Sequence, residues 1–269
     1  MVRTLFFFFA GFLIFGTAAA QQRLPGNSNI YGATGKGLVY DNEMSFNVSL
    51  ATPRNFLIGM RSGKLVSFDE MKYWSLSFGD LRHSRERREN PDRINLLTNR
   101  VSRAYVFGKQ NQLYALRFGW GKRKYLSEKA RQRGVAIGYS YEFGPTLGIL
   151  KPYYLEVNSG EPNNNSIIDV RYTGDNAAEF LNQDAIFGAS TWTQGIDELA
   201  VRPGIHVKAA AHFAFGAYDE MAKSLEAGVS ADFLFGDTDI MIESDLTPGV
   251  TNTPLHINLF INVQLGKRW

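Results

Sequence analysis

Hydrophobic and polar positions alternate along this chain over unusually long stretches. In "LHINLFINVQLGKRW", Leu255, Ile257, Leu259, Ile261, Val263 and Leu265 share one parity, and His256, Asn258, Asn262 and Gln264 share the other. "IHVKAAAHFAF" sets Ile205, Val207, Ala209, Ala211 and Phe213 against His206, Lys208, Ala210 and His212. "SLEAGVSADFLF" sets Leu225, Ala227, Val229, Ala231 and Phe233 against Ser224, Glu226, Ser230 and Asp232. The same period recurs in "GVAIGYSYEF", in "YALRFGW" and from Glu43 to Leu50. A period of two marks strands with one apolar and one polar face. The pattern predicts ten strands, over 38–52, 55–66, 72–84, 101–109, 112–125, 133–144, 146–157, 203–217, 222–236 and 255–268. Eight and twelve are the neighbouring even counts. Several of these spans exceed the usual five or six residues of globular strands and match the 9–11 that a tilted strand needs to cross a bilayer.

Connection lengths test this reading independently. An even-stranded membrane barrel alternates long external loops with tight periplasmic turns. "SFDEM", "QN", Gly144-Pro145 and "AYDEM" are the expected short turns, and 85–100, 126–132, 158–202 and 237–254 the long loops. Only the first external connection, at Pro53-Arg54, is short. The expected fold is all-β: one antiparallel transmembrane barrel, closed by pairing the last strand with the first because a free edge is costly in lipid.

Composition then supplies an address. "MVRTLFFFFAGFLIFGTAAA" has a basic start, an apolar core and small residues at its end, the anatomy of a cleaved secretory signal over 1–20. A short segment, 21–37, precedes the expected barrel, 38–269. With no cysteine in the chain, neither disulfides nor thiolate metal sites can form. No other apolar run approaches the length of a transmembrane helix. An exported chain of this kind is expected in a bacterial outer membrane. Trp269, in phase with Ile261, Val263 and Leu265, falls on the lipid face at the periplasmic rim, where aromatic girdles sit.

The stretches "YVFGKQNQLYALRFGWG", "KPYYLEV" and "PGIHVKAAAHFAFGAYDEMAKSLEAGVSADFLF" resemble outer-membrane barrels of Bacteroidota-type bacteria. That resemblance implies location and fold and carries over no functional residue. The ending is similar to the C-terminal signal of outer-membrane barrels, which implies the barrel-assembly machinery as a partner during insertion. Ile261, Val263, Leu265 and Trp269 carry this likeness, and Lys267 departs from it.

Candidate chemistry is sparse. Ten strands is also the size of the omptin proteases, but their paired acids and Asp-His spacing are not reproduced; Asp237 and Asp239 open a solvated loop. His206 and His212, six apart on one strand, lie too far from each other to share a metal, about 20 Å by strand rise. Arg61, Arg117, Glu142, Lys208, Glu226 and Asp232 fall on the inward face and read as an ion-pair network filling a narrow lumen. Two basic stretches, with Arg85, Arg87 and Arg88 in one and Lys129 and Arg131 in the other, are expected on neighbouring external loops facing lipopolysaccharide phosphates. The long loop 158–202 holds Phe187, Trp192 and Ile196, apolar groups suited to a lid or a docking surface.

These features favour a non-enzymatic outer-membrane barrel acting as a scaffold or accessory subunit of an envelope complex. A small-solute pore is the alternative, and a rim hydrolase a third reading. Lipid, lipopolysaccharide and other outer-membrane or lipoprotein subunits are the expected partners; nucleic acid and cofactors are not expected. An arginine at lipid-facing Val229 should cost more than one at inward-facing Ser230.

Overall fold

A computed structural model describes residues 40–67, 69–95, 100–126, 135–158, 167–215 and 221–269. The expected signal peptide (1–20) and the segment 21–37 lie outside the described residues. In chain order the elements are β1 (Asn42–Ala51), β2 (Asn55–Ser67), β3 (Glu70–Leu81), four two-residue strands, then β8 (Asn111–Tyr125) and β9 (Val135–Pro152). The two-residue strands are β4 (Arg88–Glu89), β5 (Ile94–Asn95), β6 (Arg100–Val101) and β7 (Tyr105–Val106). After β9 come β10 (Tyr154–Asn158), β11 (Ile167–Arg171), the single-turn helix α1 (Ala177–Phe180) and β12 (Ile186–Ala189). Three long strands end the chain: β13 (Ala200–Phe215), β14 (Met221–Leu234) and β15 (Leu255–Arg268).

Eight strands close into an antiparallel barrel in the order β1-β15-β14-β13-β9-β8-β3-β2. The seam runs from Glu43 opposite Arg268 to Ala51 opposite Phe260, so first and last strands pair as the alternation requires. Along β1, Glu43, Ser45, Asn47 and Ser49 are buried inside while Phe46 and Leu50 are 66% and 63% exposed outside. The same inversion holds on β15, where Asn258, Asn262 and Gln264 are buried and Ile257, Leu259 and Ile261 are exposed.

The expected ten strands are eight, and two local features account for the difference. Gly144-Pro145, expected as a turn, lies within β9, which runs unbroken from Val135 to Pro152. Proline has no N–H for a ladder, and the β8–β9 pairing skips from Arg117↔Thr146 to Trp120↔Phe143 there. On its other side β9 pairs with β13 continuously through His206↔Gly144 and Ile205↔Pro145. Gly144 admits the close approach of β8, since a Cβ on it would lie 2.0 Å from the Phe118 carbonyl oxygen. The expected strand 101–109 shrinks to Tyr105–Val106, which pairs with Arg88–Glu89 outside the barrel. Gly108 (φ 68°) turns the chain just beyond it.

The two departures cancel beyond β9, with one consequence between them. The connections 52–54, 82–110, 153–199 and 235–254 all gather at one end of the barrel, here the loop end. The opposite, terminal end holds the start of β1, the end of β15 and the connections 68–69, 126–134 and 216–220. Residues 126–134 therefore join strands at the terminal end, opposite to the expected side. Lys129 and Arg131, expected on the basic rim, fall in that connection and lie outside the described residues.

Candidate functional site

The interior is a fitted ionic core. Arg117 grips Asp232 with two bonds, Nε to Oδ1 and Nη2 to Oδ2, each 2.7 Å. Glu226 accepts from Arg61 Nη1 at 2.7 Å and Nη2 at 3.2 Å, and from Asn262 Nδ2 at 3.0 Å. His212 Nδ1 lies 3.2 Å from the same carboxylate. Arg61 also reaches Glu142 at 3.5 Å and lies over the Tyr73 ring, 4.1 Å from its centroid. Lys208 places its ammonium 4.5 Å from the Phe260 ring centroid. His206 Nδ1 and Thr146 Oγ1 are 3.0 Å apart. All six residues expected to form an interior network thus face inward, and five of them form ion pairs with one another.

Three members escaped the sequence reading of the network. Glu43 accepts from Arg123 Nη1 at 3.0 Å and from Arg268 Nε at 2.9 Å, and Arg123 also donates to Gln264 Oε1 at 3.0 Å. Parity alone would have found them: Arg123 is in phase with Arg117, Arg268 with Gln264, and Glu43 with Ser45. A cavity of about 20 Å³ lies within this core between Arg61, Arg117, Glu142, Lys208 and Ser230, room for roughly one water.

Above the ions, at the loop end, the interior turns apolar. Leu81, Leu113, Ala115, Leu150 and Leu234 point inward and pack on Ile240 and Met241 from the connection 235–254. That segment is strapped to the barrel rim. The N–H groups of Gln110 and Asn111 donate to Ile240 O at 2.9 and 3.1 Å, and Ile242 N–H donates to Gly108 O at 2.8 Å. Asp239 beside the plug has its pKa raised by desolvation, with Asp237 and Glu243 adding to the effect.

The long connection after β9 is itself folded. β10, β11 and β12 form a three-stranded sheet in the order β11-β10-β12. Leu155, Val157, Phe180, Leu181 and Ile186 from this connection pack with Tyr105 and Ile242 from the two other long ones. The three form a single cap. Of the residues expected as a lid or docking group, Phe187 is buried at 4% exposure, whereas Trp192 (67%) and Ile196 (43%) stand out to solvent. The structure does not bring the three together. Trp192 Nε1 donates to the Tyr114 hydroxyl at 3.1 Å, and Lys151 Nζ lies 5.5 Å from its ring centroid.

Trp192 edges a cleft of about 870 Å³ where β2, β3 and β8 meet the connections 52–54 and 82–110. Its floor is the outward face of Phe56, Ile58, Phe78 and Tyr114; the last two rings stack 5.8 Å apart. Its rim carries Arg54, Arg87 and Arg88. Lys109, buried in the wall, donates to Glu86 Oε2 at 2.7 Å, and burial lowers its pKa. Arg85 points elsewhere, toward Gly249.

An apolar outside around a polar, filled inside defines this chain as an inside-out, closed, eight-stranded antiparallel β-barrel. No family model matches the sequence, and no curated protein matches it. Among solved structures, it is similar to the Neisserial surface protein A (5% identity, covering 85% of this chain and 95% of that one, TM-score 0.36). It is also similar to the N-terminal β-barrel domain of Pseudomonas aeruginosa OprF (9% identity, covering 86% and 98%, TM-score 0.31).

Proposed function

We propose that this chain is a non-enzymatic integral outer-membrane barrel, closed to solutes, that holds a folded cap at the outer surface as a scaffold or accessory subunit of an envelope assembly. The observation that carries this reading is the pairing of an apolar exterior with a doubly blocked interior. A ring of exposed side chains such as Phe46, Ile58, Phe143, Val207 and Leu259 would be an aggregation hazard in water. In lipid it is the expected outer face of a barrel. Short connections, with the start of β1 and the end of β15, at one end support an orientation with that end in the periplasm and the cap outside.

The ionic core and the apolar plug support a scaffold over a pore, because a solute would have to displace both. Arg87 and Arg88 at the cap's edge suit lipopolysaccharide phosphates, which Arg grips with two parallel bonds. The terminal strand, with Ile261, Val263, Leu265 and Trp269 outward, suits recognition by the assembly machinery during insertion.

Fractionation and planar-bilayer recording test the reading together. The protein should partition with outer membranes, migrate as a heat-modifiable band, and leave bilayers without discrete conductance. Recovery as a soluble monomer would end the membrane reading, and steady unitary currents would replace the scaffold by a pore.

A further inference from the structure

We propose that the cleft between Trp192 and the β2-β3-β8 wall binds a phosphorylated, acylated glycolipid of the outer leaflet, with phosphate on Arg54, Arg87 and Arg88 and acyl chain on the aromatic floor. The proposal rests on the membrane reading above, which puts this end of the barrel outside.

Charge carries the first step. The cleft lining holds five cations (Arg54, Arg82, Arg87, Arg88, Lys109) and two carboxylates (Asp80, Glu86). Both carboxylates are already engaged. Asp80 takes Arg82 Nε at 2.6 Å and the Phe56 N–H at 2.7 Å, and Glu86 takes Lys109 at 2.7 Å and the His83 N–H at 3.1 Å. Arg54, Arg87 and Arg88 are exposed and are left without a carboxylate among the described residues, converging on one recess. An anion with several oxygens satisfies such a set, and guanidinium forks match phosphate geometry.

The floor carries the second step. Phe56 and Phe78 are outward-facing and about half exposed, continuous with the wall that meets lipid. The recess therefore opens toward acyl chains below and cations above, the polarity of an outer-leaflet glycolipid. A soluble anion would have no use for the floor, and a lipid without phosphate none for the arginines. The other large recess at the loop end, about 710 Å³, is lined by Asp237, Asp239 and Glu243 and would repel the same ligand.

The test uses the full chain folded in detergent micelles and titrated with diphosphoryl lipid A. Tryptophan emission is the readout, and Trp192→Phe isolates the signal from the cleft. Saturable binding is expected. Removing Arg54, Arg87 and Arg88 together as glutamines should weaken it on the order of a hundredfold, and each singly about fivefold, with heat-modifiable migration unchanged. Arg85→Gln, off the cleft, should bind like the parent. Dephosphorylated lipid A should bind as weakly to the parent as the diphosphoryl form does to the triple variant. The proposal is overturned if the triple variant binds like the parent, or if dephosphorylated lipid A binds as tightly as the diphosphoryl form. Equal binding of phosphatidylglycerol would mean that anionic lipid is attracted without the cleft's help, and inorganic phosphate that competes fully would remove the acyl floor from the account. A protein that inserts normally yet binds nothing refutes this inference and leaves the membrane reading standing.

Discussion

Glu226 is the hub of the barrel interior, and replacing it by glutamine tests whether the ionic core holds the fold together. The carboxylate takes two bonds from Arg61 and one from Asn262, with His212 Nδ1 at 3.2 Å, Ser140 Oγ at 3.3 Å and Arg123 Nη2 at 3.6 Å. Glutamine preserves volume but removes the charge, and it turns one acceptor oxygen into an NH2 that faces donors. Glu142, at 3.5 Å, would be the carboxylate left beside Arg61. Hydrogen bonds to charged groups contribute about 1.5–3 kcal/mol each but do not add. The better guide is the cost of breaking a buried pair from one side, about 3–5 kcal/mol. Urea unfolding of the protein folded into phospholipid vesicles, followed by tryptophan emission and by gel mobility, would read that loss. Replacing the pair together, Arg61→Met with Glu226→Leu, should recover part of it, since neither member of that pair is then left facing the other's absence. A loss below about 1 kcal/mol for Glu226→Gln would show that the interior is wet enough to screen the network, and the fitted ionic core would not hold the fold together.

Other consequences can be checked alongside. Val229→Arg, on the outward face, should cost roughly 2–4 kcal/mol if that face lies near a bilayer midplane; Ser230→Arg should also destabilise, because it would enter a cavity of about 20 Å³ beside Arg117 and Lys208. Similar unfolding midpoints for Ser230→Arg and the parent would contradict that. Asp239 binds its proton more tightly folded than unfolded, so its contribution to the plug is complete below the unfolded value near 3.8 and is lost as pH rises through the raised one. Asp239→Asn should therefore slow amide exchange around Ile240 at neutral pH more than at pH near 4, and equal protection at both would count against it. Replacing 160–198 by a short Gly-Ser link should leave a folded, heat-modifiable barrel, because loop closure depends weakly on length; failure to fold would make the cap part of the barrel's own stability.

The alternation along the strands made the closed barrel and the direction of its side chains legible before any coordinate. It did so because an apolar outside and an ionic inside impose opposite demands on successive residues. Strand number was less legible, since it depends on whether a Gly-Pro pair turns the chain or lies within a strand. The pattern did contain the answer: Val135, Ile137, Tyr139, Tyr141, Phe143, Leu147 and Ile149 keep one phase straight through Gly144-Pro145. Gly-Pro is a strong local turn signal, but here the phase continuity prevails. The stretch Val101 to Lys109 misled in the opposite way, because Tyr105 and Phe107 alternate as a strand would, yet Tyr105 is buried with Leu155, Phe180 and Ile242 in the cap and half-buried Phe107 packs against them. Arg87, Arg88 and Trp192 were legible singly, but the cleft that joins them was not. Its floor and its arginines come from four separated stretches, and only the barrel's closure brings them side by side.

Sealing the interior twice, by different chemistry, shifts attention away from the lumen. If the plug of Ile240 and Met241 were the only barrier, an opening of the connection 235–254 would convert the protein to a channel. The ions below it form a second barrier with a different sensitivity, strongest where water is excluded. Polar substitutions in the plug, such as Ile240→Ser with Met241→Ser, should therefore loosen the cap yet give no conductance. Substitutions in the ionic core should weaken the barrel without freeing the cap. Current through the plug variant alone would show that the ionic core is permeable and that the lumen, rather than the cap and its cleft, is where this protein acts.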